Sequence, residues 1–101
     1  MNKIPEFLAY VKLTKNLSER SLKAYEYDLE QFKNYLNNKN ITEINNKILL
    51  EYVNDLSNKL KDKTIVRKII TLKMYYRYLE DNYNLQNPFN KLKKSRFIRW
   101  W

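Results

Sequence analysis

The chain has 101 residues, a length for one domain able to bury a single core without disulfides or a metal. It contains no cysteine, which excludes disulfides and thiolate zinc sites, and no histidine. Twenty Lys and Arg against eleven Asp and Glu give a formal charge of +9, no stretch is apolar enough to cross a bilayer, and the N-terminus lacks the apolar core of a signal peptide. A soluble, cytoplasmic protein is therefore expected, and the composition argues against a membrane partner.

The positive charge is regional. Residues 18–40 are balanced, whereas 61–87 hold six cations against three anions and 88–101 hold five cations and no anion. A one-sided basic surface suits double-stranded DNA, which it binds by displacing condensed counterions, better than it suits an acidic small substrate. Lys and Asn also have AT-rich codons, so base composition is a competing source of the bulk charge.

Glycine is absent, and the two prolines stand at positions 5 and 88, so Asn and Asp must punctuate the chain. Pro5 fits the first turn of a helix whose apolar stripe is Ile4, Phe7, Leu8 and Val11, ending near Lys15-Asn16. Ser18 is a candidate N-cap, with Glu19 favourable at the positive end of the dipole, for a second helix with Leu22, Tyr25, Leu29, Phe32 and Leu36 on its buried stripe. Asn37-Asn38-Lys39-Asn40 reads as a loop. Asn45 or Asn46 caps a third helix with Leu49, Tyr52, Val53, Leu56 and Leu60 inside. Asp62 or Lys63 starts a fourth, with Ile65, Ile69, Leu72, Tyr76, Leu79 and Tyr83 at helical spacing. No segment alternates at period two. The expected fold is all-α, a compact orthogonal bundle of four helices at about 4–15, 18–37, 46–60 and 63–84 with a basic C-terminal tail.

The second helix, with Leu17-Ser18, Ser21-Leu22, Tyr25, Asp28-Leu29, Phe32 and Leu36, and the fourth, with Thr64-Ile65, Arg67-Lys68-Ile69, Leu72-Lys73, Tyr76-Arg77 and Leu79 before Asn87-Pro88, carry a family pattern. Together they resemble the N-terminal core-binding (SAM-like) domain of tyrosine recombinases of the Xer and phage-integrase kind. The resemblance implies a domain at 1–87 that grips one face of DNA through its second and fourth helices, while a separate C-terminal domain breaks and rejoins strands. It places 88–101 where the interdomain linker starts, although Phe97-Ile98-Arg99-Trp100-Trp101 does not match such a linker.

Projected at about 100° per residue, Thr64, Arg67, Lys68 and Thr71 cluster a third of a turn from the apolar stripe and are expected to face solvent, with Lys63 at the helix start. Arg can bond guanine bidentately, Lys can neutralise phosphate, and Thr can bond phosphate or touch a thymine methyl. The resemblance matches Arg67 and Lys68 to the family's fourth-helix basic positions. Lys73 and Arg77 lie on the other flank, where they hold phosphates or brace an acid within the fold. The second helix offers Arg20, Ser21, Lys23 and Tyr27 in its first turns, but Glu26 and Glu30 where relatives are often basic. Asp28, beside the apolar stripe, is expected to make a bond within the fold. Lys91, Lys93 and Lys94, with Arg96 and Arg99, could track phosphates.

No catalysis is expected. The family's chemistry needs a tyrosine nucleophile with arginines and usually a histidine, and this chain lacks histidine and the family's catalytic signatures. No glycine-rich phosphate loop, cofactor site or metal-ligand spacing exists. The expected function is DNA binding at a recombination half-site without strand cleavage. The main rival is a protein-interaction module that associates with recombinase protomers and modulates their assembly. A third reading is a cationic membrane-surface protein using Trp100 and Trp101.

Overall fold

A computed structural model describes residues 3–37 and 39–91, apart from the side chains of Glu43 and Lys91. Four helices follow in order: α1 (Ile4–Lys15), α2 (Glu19–Leu36), α3 (Asn46–Ser57) and α4 (Asp62–Tyr83). Short 3-10 turns lie at Ile41–Glu43 and Pro88–Lys91, and the described residues contain no strand. The architecture is the expected all-α bundle.

Its punctuation is done by small polar side chains. The Ser18 hydroxyl accepts from the Ser21 N–H at the start of α2, and the Asn45 side chain accepts from the Ile48 N–H at the start of α3. Asn16, Asn37 and Asn84, which follow α1, α2 and α4, are the three described non-glycine residues with positive φ, at 51°, 59° and 54°. Asn16 and Asn84 are in the left-handed helical region, which Asn tolerates better than other residues with a Cβ, so there it fills the role glycine usually takes beyond a helix end. Asn37, with ψ −117°, lies outside that region.

α4 is the central element. α2 packs on it, α1 packs on both, and α3 packs on α4 and on the turn at Pro88–Lys91. Phe7, Leu29, Phe32, Leu49, Ile65, Ile69, Leu72 and Leu79 fill the space between them, each no more than 1% exposed. Aromatic rings run through this core, with Phe32 lying 4.6 Å from Tyr52 and 6.4 Å from Tyr76, and Phe7 lying 5.4 Å from Tyr75. Edge-on and tilted contacts at these separations are the favoured geometries for such rings.

Several boundaries differ from the sequence reading. α3 ends at Ser57 because the N–H groups of Asn58, Lys59 and Leu60 turn back onto carbonyls at positions 55 and 56, leaving Leu60 outside the helix and 38% exposed. Tyr83 is also 38% exposed, since it is the last residue of α4 and its hydroxyl bonds to Glu6 on the surface. Leu22 and Tyr25 are half-buried. Pro88 and Phe89 are buried, Phe89 lying 6.3 Å from Tyr76, so the packed unit runs past residue 87. An Asn87 side chain that accepts from the Phe89 N–H at 3.0 Å turns the chain back onto the bundle.

Candidate nucleic-acid interface

The polar side chains that matter most meet where α2 crosses α4. Asp28 is 1% exposed, and its carboxylate is surrounded from α4. Oδ2 accepts from Arg67 Nε at 3.2 Å, and Oδ1 accepts from Arg67 Nη2 at 2.8 Å and from Lys68 Nζ at 2.9 Å. Thr71 Oγ1 lies 3.2 Å from Oδ2 and 3.0 Å from the Arg67 carbonyl, between which its one proton is divided. Lys68 Nζ also donates to Gln31 Oε1 and sits 4.9 Å from the centre of the Tyr27 ring. The expected bond from Asp28 within the fold is present.

The solvent-facing expectation for the α4 cluster needs correction. Lys68 is 3% exposed and Thr71 is 0% exposed, while Thr64 is half-buried. A lysine is buried only with its charge matched, and Asp28, forty residues earlier, supplies the match. Because three helices pack on α4, its buried positions cover about half its circumference and extend through Lys68, Thr71, Tyr75 and Tyr78. The exposed side is correspondingly rotated and carries Lys63, Arg67, Ile70, Arg77 and Asp81. Lys63 and Arg77 are separated by roughly 21 Å of helix.

The remaining residues distribute as follows. Arg20 and Lys23 are exposed on the first turns of α2. Ser21 is half-buried, with its hydroxyl accepting from Ser18 Oγ at 3.2 Å, so the capping interaction engages it. Arg77 lies 3.5 Å from Asp81, one turn further along the same exposed face. Lys73 is half-buried. Glu26 is exposed on α2. Lys93, Lys94, Arg96, Arg99 and the two tryptophans lie outside the described residues, as does the side chain of Lys91. Sequence reasoning missed Gln31, whose position one turn after Asp28 was its signal, and Ile70, which the apolar pattern gave no reason to place in water.

The crossing has a simple electrostatic consequence. One buried carboxylate faces two cations, so the group carries a net positive charge. Asp28 matches Lys68 in the interior, and Arg67, which keeps 45% of its side chain exposed, presents the surplus at the surface. Paired acids suited to proton transfer are not found there, and no group of three metal-binding side chains occurs among the described residues. No helix among them is long and apolar enough to cross a membrane.

The family described as phage integrase, N-terminal SAM-like domain, matches residues 4–82. A tyrosine recombinase of Agathobacter rectalis is 38% identical over 91 residues, covering 89% of this chain and 30% of that protein. The tyrosine recombinase XerC of Staphylococcus epidermidis is 38% identical over 111 residues, and that of Staphylococcus aureus is 36% identical over 107 residues. Each of these two matches covers 97% of this chain and 36% of the relative, so the chain spans about a third of the length of the relatives it matches. No solved structure matches the chain.

Proposed function

This chain belongs to the phage-integrase family through its N-terminal SAM-like domain, and from that premise we propose that it binds duplex DNA as the target-gripping part of a site-specific tyrosine recombinase. The contact surface is the outward side of α4, with Lys63, Arg67 and Arg77, together with Arg20 and Lys23 at the start of α2. Thr64 and Ser21 stand at its edge. Lys68 and Thr71 act beneath the surface, both holding Asp28 in place. The reading assigns grip to these residues and no strand cleavage, the chemistry that names the relatives being left to the other two thirds of those proteins.

The observation that carries it is the exposed cationic side of α4, backed by a buried cluster whose charges do not cancel. Groups set in this way favour phosphate through counterion release, and a helix of this length can lie in a major groove.

Lys23 and Lys63 give a clean test because both are exposed and removing them disturbs no buried pair. Lys23→Gln/Lys63→Gln should retain the wild-type melting temperature and weaken binding to a fluorescent duplex in anisotropy titrations. The plot of log affinity against log salt should become shallower by about 0.9 for each phosphate the variant no longer neutralises. Wild-type protein that fails to bind duplex DNA at low salt, or a variant that binds with an unchanged slope, would refute the assignment.

A further inference from the structure

One residue on the outward side of α4 is not explained by charge. Ile70 is 45% exposed, whereas Ile65 and Ile69 on the same helix are 0% and 1% exposed. A lone exposed apolar residue is ordinary on a protein surface. Ile70 is set apart by its neighbour one turn earlier, the partly exposed Arg67.

A guanidinium carries five N–H donors in one plane. Asp28 takes the edge formed by Nε and Nη2. The adjoining edge, formed by Nη1 and the second proton of Nη2, retains two parallel donors. Asp28 is buried and is itself bonded by Lys68 and Thr71, so the interior of the bundle fixes the plane of the Arg67 head. A fork held in place loses less side-chain freedom on binding than a mobile one.

We propose that Arg67 and Ile70 form a composite base reader, with Asp28 as its positioning residue. The free edge of Arg67 captures the paired acceptors O6 and N7 of a guanine, and Ile70 packs on the C5 methyl of a nearby thymine. Residues three apart on a helix differ by about 4.5 Å in rise, against 3.4 Å per base along a strand, so the two bases lie within about two base pairs of each other. This inference rests on the DNA-binding reading above, and it adds which bases are read and by which atoms. Two oxygens of a phosphate offer Arg67 a similar pair of acceptors, so the test must separate base from backbone.

Duplexes selected by the wild-type protein from a pool with a randomised centre are remade with 7-deazaguanine for guanine, or with deoxyuridine for thymidine. The selected sequences should share a G and a T within about two base pairs. Loss of N7 should weaken the wild type by at least about fivefold and leave Arg67→Lys, which keeps the charge without the fork, no weaker than before. Loss of the thymine methyl should weaken the wild type and leave Ile70→Ala unaffected. A shared sequence without sensitivity to either analogue, or binding that yields no shared sequence, overturns the base reader while DNA binding stands. Sensitivity to Arg67→Lys without sensitivity to 7-deazaguanine makes Arg67 a phosphate clamp and also overturns it. Absence of duplex binding by the wild type removes the underlying reading instead.

Discussion

Tyr75 and Tyr76 are consecutive, both at most 1% exposed, and their hydroxyls are in opposite situations. The Tyr76 hydroxyl donates to the Ile41 carbonyl at 2.6 Å, tying α4 to the 3-10 turn that precedes α3. The Tyr75 hydroxyl is buried without a hydrogen-bond partner, the Lys3 backbone acting on it without completing a bond. A paired buried hydroxyl stabilises by about 0.5–1.5 kcal/mol, and an unpaired one costs about 1–3 kcal/mol of desolvation. The same substitution should therefore have opposite signs at the two sites. Tyr75→Phe should raise the urea midpoint, corresponding to about 1 kcal/mol, and Tyr76→Phe should lower it by a similar or larger amount by stranding the Ile41 carbonyl. Unchanged m-values would show that both effects are on stability. Equal shifts in one direction would contradict the difference in pairing.

At the scale of the helices, what could be read locally was read, and what depended on distant partners was not. The bounds of α1 and the caps Ser18 and Asn45 follow from side chains acting within a few residues or from the break in an apolar stripe, and the place of Asp28 beside that stripe shows that it bonds within the fold but not to which residues. The burial of Lys68 and Thr71 does not, because a periodic pattern assigns every lysine to water and cannot know that Asp28 arrives from α2 with the opposite charge. The same limit explains Phe89, which follows Pro88 in what reads as a tail and is buried only because Asn87 turns the chain back. Asn as a helix stop was legible in a chain with no glycine. Its strength can be measured at Asn84, where φ is 54° and the N–H closes onto the carbonyls of Glu80 and Leu79. An ordinary L-residue loses roughly 1–2 kcal/mol in this region, and Asn less. Asn84→Ala should destabilise by about 1 kcal/mol while Asn84→Gly stays near wild type, since the freedom glycine gains in the folded turn is offset by its unfolded-state entropy. Equal midpoints for the alanine and glycine variants in urea would rule out a left-handed cap as the reason for Asn.

For the molecule as a whole, the tyrosines set an upper pH limit. Burial pushes the Tyr52 and Tyr76 phenols above the usual tyrosine range and Tyr75 up to about 12. Tyr78 is raised by burial and by donating to Glu6, Tyr83 chiefly by its bond to Glu6, and Tyr35 by burial. An unfolded tyrosine releases its proton near pH 10. Above that value the unfolded chain binds fewer protons than the folded one, so stability falls as pH rises. The contribution is complete below about pH 10 and is lost as pH climbs through the raised folded values. Glu6 sets the opposite limit. The Tyr78 and Tyr83 hydroxyls hold its carboxyl below its ordinary value of 4.5, so its contribution is present above that pH and fades as acid protonates it, weakened by its exposure to solvent. An alkaline titration followed at once by phenolate absorbance and far-ultraviolet circular dichroism checks the larger effect. Part of the phenolate signal should appear only with the loss of helix, in one cooperative step beyond pH 10. A phenolate signal that finishes while the helices persist would mean that these hydroxyls ionise in the folded core, and the fold would then owe nothing to keeping them protonated.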